Sequence, residues 1–235
     1  MRNVTELKEL SNQLKGLPFT ESLRAIESLF PGEAIFTTSF GIEDQVITHA
    51  IFYSNIKIPV VTLDTGRLFP ETYKVFSNTI IKYKKKIEVY FPDHKAVEQM
   101  VTEKGPYSFY ESRENRIECC RLRKVVPLNR ALEGKKVWIT GIRAEQSQNR
   151  TGMENIEYDE TKNIIKYHPL FDWSLDETEK YIKENLVPYN SLYDKGYVSI
   201  GCEPCTRPII KGQDFRAGRW WWENDGPKEC GCHIK

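Results

Sequence analysis

Residues 33–54 of the chain read EAIFTTSFGIEDQVITHAIFYS. The first part, Ala34 to Thr38, is apolar and β-branched, as a strand requires, and it stops at Ser39-Phe40-Gly41. Beyond Gly41 the apolar residues Val46, Ile47, Ala50 and Ile51 return at helical spacing on one face. The segment is therefore a strand, a tight glycine loop and a helix. The same order recurs in IPVVTLDTG (58–66) followed by PETYKVFSNTIIKY (70–83), where Pro70 suits a first helical turn. It recurs again in IEVYFP (87–92) followed by KAVEQMVTEKG (95–105), and a further strand, KVWITGIR (136–143), also ends in a glycine turn. This alternation predicts an α/β fold, a parallel sheet with helices on both faces.

Upstream of this core, Leu7, Leu10 and Leu14, then Leu23, Ile26 and Leu29, are spaced as two lead-in helices. ECCRLRKVVPLNRAL (118–132) reads as a helix bent or broken near Pro127, which lacks the N–H that a helix interior needs. EQSQNRTGMENIEYDETKN (145–163) is polar and reads as a loop or a hairpin over the sheet edge. HPLFDWSLDETEKYIKENLVP (168–188) holds a helix capped by Ser174, with Glu177 three residues on. From Tyr189 onward the chain is rich in Gly, Pro, Trp and Cys with few periodic runs, which marks an irregular, site-forming segment. These readings set an N-terminal helical lead-in over 1–30, an α/β domain over 31–222 and a mobile tail over 223–235.

The composition is that of a soluble globular protein: 235 residues, 40% hydrophobic and 29% charged. A formal net charge of +1 gives no global field that would draw the chain to nucleic acid. No apolar run approaches the roughly 18 residues of a membrane span, and MRNVTELKEL carries no signal-peptide core, so a cytoplasmic location is expected. The basic run KYKKK (82–86) follows an amphipathic segment and reads as the solvated end of a helix, where cations suit the dipole.

In open α/β sheets ligands bind beyond the C-terminal ends of the strands. Three strand ends carry small or glycine-bearing loops: Thr37 to Gly41, Leu63-Asp64-Thr65-Gly66-Arg67, and Thr140-Gly141-Ile142-Arg143. The first runs into a helix whose free N–H groups can hold an anion. Alone, such a loop is as readily a structural turn; together the three outline a nucleotide pocket.

Four of the six cysteines form an adjacent pair, Cys119-Cys120, and a CxxC, Cys202 and Cys205. Neighbouring side chains diverge by about 100° on a helix, so an adjacent pair wraps a single tetrahedral zinc poorly. In a cubane each iron takes one thiolate, and diverging neighbours can serve different irons. The spacing favours a four-iron cluster, with zinc and buried or disulfide-bonded cysteines as the alternatives. Arg121, Arg123 and Lys124 follow the pair, and Arg207, Arg216 and Arg219 follow the CxxC. Arginine forks match phosphate and sulfate oxygens and would offset a net-negative thiolate cluster; exposed surface charges are the plainer account. In the tail KECGCHIK, Cys230 lies near Lys228 and His233, cations that favour a nucleophilic thiolate. An incidental cysteine on a frayed end is the alternative.

With these segments assembled, TTSFGIEDQV, LDTGRLFPETY, ECCRLRK, WITGIRAEQSQNR, GYVSIGCEPCTRPIIKGQDFRAGRWWWE and KECGCH resemble the assimilatory adenylyl-sulfate and phosphoadenylyl-sulfate reductases, from about Glu33 to His233. The resemblance implies an adenine nucleotide α-hydrolase-like fold with a modified pyrophosphatase loop and an irregular cysteine-bearing C-terminal segment. It implies a [4Fe-4S] cluster on Cys119, Cys120, Cys202 and Cys205, with Cys230 as the nucleophile. Lys124 is similar to the lysine that links cluster and substrate, and Arg216, Arg219 and His233 to the residues around the phosphosulfate. Ser39, Gly41, Leu63, Thr65, Gly141 and Arg150 fall where that family holds the nucleotide. The implied activity is thioredoxin-dependent reduction of adenosine 5'-phosphosulfate to sulfite and AMP through an S-sulfocysteine, in sulfate assimilation and cysteine biosynthesis. Thioredoxin, or a glutaredoxin-like donor, is the expected partner, with no nucleic acid or membrane; a homo-oligomer is left open.

The family tail usually ends in Cys-Gly-Leu-His, and here position 232 is cysteine. The expectation is a neutral replacement; the other reading is a reversible Cys230–Cys232 disulfide, which would close a very small, strained ring. Three rival functions stand beside the main one. They are reduction of the 3'-phosphorylated nucleotide, tRNA thiolation by an iron–sulfur pyrophosphatase-loop enzyme, and a noncatalytic zinc module. The second would need an SGGxDS type of loop where this chain reads SFGIED.

Overall fold

The computed structural model describes residues 4–146, 153–210 and 212–223. In chain order the elements are α1 (Val4–Leu14), α2 (Phe19–Leu29), β1 (Ala34–Thr38), α3 (Ile42–Tyr53), β2 (Val60–Leu63), α4 (Pro70–Tyr83), β3 (Glu88–Tyr90) and α5 (His94–Lys104). There follow α6 (Arg113–Cys120), α7 (Val126–Leu132), β4 (Val137–Ile139), β5 (Ile156–Asp159), β6 (Ile164–Tyr167) and α8 (Leu175–Glu184). The strands form one sheet in the order β3-β2-β1-β4-β6-β5. β1 runs parallel to β4 and β4 to β6, while β5 closes the edge antiparallel to β6. The chain divides into two compact units, one of residues 1–61, 74–88 and 134–190, the other of 62–73, 89–133 and 191–235.

The first unit is built on burial. Phe36 of β1, Val46 and Ile47 of α3 and Val137 and Ile139 of β4 are fully buried in one cluster, joined by Leu10 and Leu14 of α1 and Leu23 and Ile26 of α2. Burying each such side chain stabilises the fold by about 1.5–3 kcal/mol. The expected apolar face of α3 is there, but the helix is buried on every side from Ile42 to Phe52, polar residues included. It tolerates this because those groups are paired, Gln45 Oε1 excepted. Gln45 Nε2 donates to Thr79 Oγ1 and to the Pro188 carbonyl, Thr48 Oγ1 donates to the Asp44 carbonyl, and His49 Nδ1 lies 2.8 Å from the Tyr83 hydroxyl.

The polar stretch after Arg143 resolves, within its described part, as the hairpin of the two readings, and its second strand is more interior than the sequence suggested. All four residues of β6 are buried. Lys166 among them is offset by Asp159 at 2.6 Å and lies over the Trp138 ring at 5.3 Å. Ser174 caps α8 with the reciprocal bonds of a capping box through Glu177. As expected, the basic run closes a helix: Lys82 sits in the last turn of α4 and donates to the carbonyls of Asn185 and Leu186.

In the second unit the helix around Pro127 neither breaks nor ends. Between α6 and α7 the residues Arg121–Val125 form a π-helical turn in which the Val126 N–H reaches the Arg121 carbonyl. The dihedrals stay helical, with Cys120 at φ −64, ψ −40 and Val126 at φ −62, ψ −50. The wider turn carries the chain past Pro127, whose missing N–H leaves nothing for an ordinary α-helical bond to the preceding turn.

Candidate functional site

In the first unit, β1 delivers Ser39-Phe40-Gly41 to the start of α3. Phe40 is held at φ 62, unusual for a bulky residue, and its buried ring packs on Phe76 at 4.9 Å, which offsets the strain. Asp44, in the first turn of α3, reaches back into the loop, where its carboxylate accepts the Ser39 N–H at 2.6 Å and the Ser39 hydroxyl at 2.7 Å. The Gly41 N–H bonds the same carboxylate. Donors of the loop itself, at Ser39 and Gly41, are thus engaged by the protein's own acid. Burial pushes the Asp44 carboxyl up to about 6, against the pull of the Ser39 hydrogen bonds and with Glu43 adding to the rise. Gly141, at the end of β4, is packed so closely on this turn that a Cβ would stand 2.2 Å from Asp44 Oδ1. Arg143 is buried beside it, donating to Glu43 at 2.8 Å and Glu145 at 2.9 Å.

In the second unit, Gly66 adopts φ 69 and lets the loop after β2 turn sharply. The Asp64 carboxylate accepts the Gly66 N–H at 2.8 Å and the Tyr73 hydroxyl at 2.9 Å. Tyr73 is pushed up to about 12, by burial first and then by its bond to Asp64. This loop abuts a small cavity of about 20 Å³. Cys119, Cys120, Cys202 and Cys205 line it together with Arg67, Arg116, Arg123, Lys124 and Phe109.

Local structure explains how two distant cysteine pairs meet there. α6 and its π-helical extension present Cys119, Cys120, Arg123 and Lys124, while a single 3-10 turn at Glu203–Cys205 presents the CxxC. That turn is pinned to the nucleotide-type loop, since Leu68 pairs with Cys202 and the Glu203 N–H donates to the Arg67 carbonyl at 2.8 Å. Arg123 spans the pairs: it hydrogen-bonds Cys119 and donates to the Thr65 carbonyl at 2.6 Å, while Thr65 Oγ1 lies 3.3 Å from Cys202 Sγ. Burial pushes the Cys119 thiol up, and burial with the neighbouring sulfurs Cys202 and Cys120 pushes Cys205 up to about 12. Thiolates here need compensation, and Arg123 and Arg67 by Cys119, and Lys124 and Arg219 by Cys205, oppose the rise. The donor set, four sulfurs lining one cavity beside four cations, fits the chemistry of a four-iron, four-sulfur group. Among the described residues no three His, Cys, Asp or Glu side chains gather as ligands of a single ion.

Of the residues expected from sequence, Ser39, Gly41 and Gly141 come together around Asp44 in the first unit. Leu63, Thr65, Lys124 and the four cysteines belong to the second, as do Arg216, half-buried, and Arg219, buried. Arg219 stacks on Trp220 at 4.8 Å, and Gly201 leaves it room, since a Cβ there would stand 2.3 Å from its guanidinium. Arg150, Cys230, Cys232 and His233 lie outside the described residues. Sequence reasoning passed over Asp44 and Arg116, and named Arg67 only as the end of a strand-end loop. Arg116 precedes Cys119 and Cys120 by three and four positions, the spacing at which helix side chains meet, and could have been found that way.

Residues 33–208 match the family model described as phosphoadenosine phosphosulfate reductase domain. An adenosine 5'-phosphosulfate reductase of Sinorhizobium fredii (strain NBRC 101917 / NGR234) is 47% identical over 97% of this chain and 91% of its own length. One from Neisseria meningitidis serogroup B is 48% identical over 86% of this chain and 82% of its own. Among solved structures, phosphoadenylyl-sulfate reductase from Candida auris, in a phosphate complex, is similar at a TM-score of 0.76 and 30% identity, covering 88% of this chain and 98% of that one. Yeast FAD synthetase in complex with FAD shares the fold alone, at a TM-score of 0.54 and 15% identity.

Proposed function

The chain belongs to the phosphoadenosine phosphosulfate reductase family, and from that premise we propose that it reduces adenosine 5'-phosphosulfate to sulfite and AMP in the assimilation of sulfate toward cysteine. The observation that carries this reading is the cavity in which four cysteines meet four cations, in a chain 47% identical to a reductase of that name. Thioredoxin, or a glutaredoxin-like dithiol, supplies the electrons. No described helix is long and apolar enough to cross a membrane, and the enzyme is assigned to the cytoplasm.

Chemically, the Cys230 thiolate attacks the sulfur of the phosphosulfate. The bond from that sulfur to the bridging oxygen breaks, and AMP departs with the electron pair. Lys124, Arg216, Arg219 and His233 meet the charge that develops on the leaving phosphate. A donor thiolate then attacks the Cys230 sulfur and expels sulfite, and the donor's second thiol resolves the mixed disulfide, so two electrons come from one dithiol. Ser39, Gly41, Leu63, Thr65, Gly141 and Arg150 hold the nucleotide. Cys119, Cys120, Cys202 and Cys205 would hold the [4Fe-4S] cluster, which when bound supplies fixed charge and a scaffold. Cys232 is a neutral replacement in this reading.

The test is mass spectrometry of anaerobic protein mixed with adenosine 5'-phosphosulfate and no reductant. The expected product is a sulfite-sized adduct on the Cys230 peptide, discharged by reduced thioredoxin. The match to the Candida auris enzyme raises the 3'-phosphorylated nucleotide as a second substrate. An adduct formed only with that nucleotide would select it, and no adduct with either would refute Cys230 as the nucleophile.

A further inference from the structure

The two cysteine pairs are joined by a second bridge, which does not run through Arg123. The Trp220 N–H donates to the Cys205 carbonyl at 3.2 Å, and the Glu223 N–H donates to the Trp220 carbonyl at 3.0 Å. The Glu223 carboxylate accepts both Arg116 Nε at 2.7 Å and Arg116 Nη2 at 2.8 Å, a bidentate pair with side chains 5% and 11% exposed. The Arg116 guanidinium lies over the Trp220 ring at 4.7 Å and also hydrogen-bonds Cys120. The contacts therefore run without a gap from Cys205 through Trp220, Glu223 and Arg116 to Cys120. Every member lies in the second unit.

A pair of this kind is costly to bury, and its return is geometric: it fixes two fork-shaped groups in one mutual orientation. Here that orientation decides how far the CC helix stands from the CxxC turn. It also sets the charge at the cavity wall. Arg67, Arg116, Arg123 and Lys124 line the cavity, and the charge of Arg116 is matched by the Glu223 carboxylate held on it. We propose that Arg116 and Glu223 are positioning residues for the cysteine site, a clamp that sets the spacing of Cys120 and Cys205 before a cluster binds and trims the positive charge the cluster meets. The proposal rests on the reading of the cavity as an iron–sulfur site; it does not depend on which nucleotide is reduced.

Two variants of the full chain test it, Glu223→Gln and Arg116→Gln, each reconstituted anaerobically with iron and sulfide. Iron per chain, the half-life of the cluster absorbance in air and the cluster's midpoint potential are read out. Both variants are expected to lose cluster in air at least five-fold faster than the unmodified protein, because each frees the CC helix from the CxxC turn. Their potentials should move in opposite directions. Glu223→Gln leaves Arg116 uncompensated and shifts the potential upward, whereas Arg116→Gln removes a cation and shifts it downward. A merely structural role would speed cluster loss in both without that split, so equal or like-signed shifts would overturn the charge role. Unchanged half-lives in protein of normal iron content would overturn the clamp. Should a variant fail to fold, Arg116→Lys, which keeps the charge but not the fork, is expected to keep the potential and lose the half-life; keeping both would overturn the clamp. If the unmodified chain itself takes up no iron, the cluster reading fails, and the clamp fails with it.

Discussion

Asp44 shows how one residue can change what a loop is able to do. The loop at Ser39 to Gly41 closes on a buried carboxylate whose pKa stands at about 6 against an ordinary 3.8. The folded state thus holds that proton more tightly than the unfolded one. The resulting stabilisation is complete below the unfolded value and is lost as pH rises through about 6, on the order of 3 kcal/mol in all. Asp44→Asn lacks the term. In urea titrations the stability difference between variant and parent should therefore move in the variant's favour by about that amount between roughly pH 4 and pH 7. A difference that stayed constant would mean the carboxyl ionises as easily in the fold as out of it.

At the scale of elements, α8 and the π-helical turn make contrasting demands. Ser174→Ala removes half of a capping box at an exposed helix end and should cost about 1 kcal/mol, read as a fall in Tm of about 2–4 °C. Deleting Leu122 from the π-helical turn should abolish iron uptake and weaken AMP binding, since Lys124 turns away with Arg123. Returning to α-helical spacing swings Arg123 and Lys124 by about 100° relative to Cys119 and Cys120. Iron per chain and calorimetric AMP binding check both halves of that expectation. The strand, loop and helix around Ser39 were legible because Val46, Ile47, Ala50 and Ile51 carry a period that solvent and core impose directly. Pro70 and Ser174 were legible because a helix end has its own chemistry. β6 was obscured by Lys166, whose burial depends on Asp159 and Trp138, residues from other strands. Pro127 signalled trouble in a helix but not its remedy, because a widened turn and a break satisfy the same missing N–H. The cysteine pairing was legible in the spacing of CC and CxxC, whereas Arg116 acquires its role only from Glu223, 107 positions away.

At the scale of the whole molecule, the proposed chemistry divides between the residues that gather in the two units and the segment that follows Glu223. A chain ending at Glu223 should still take up iron, yet bind AMP more weakly without His233 and release no sulfite without Cys230. Sulfite release by that truncated chain would place the nucleophile elsewhere. The π-helical turn at Arg121–Val125 carries a last consequence, for the gene rather than the protein. A π-helical turn is an α-helix with one residue too many, so the cysteine-bearing wall of this cavity differs from a plain helix by a single codon. A one-codon deletion there would leave the reading frame and the α/β core intact while erasing the register of the site. Loss of sulfate assimilation could then arise, and revert, by gain and loss of one amino acid in a protein that continues to fold.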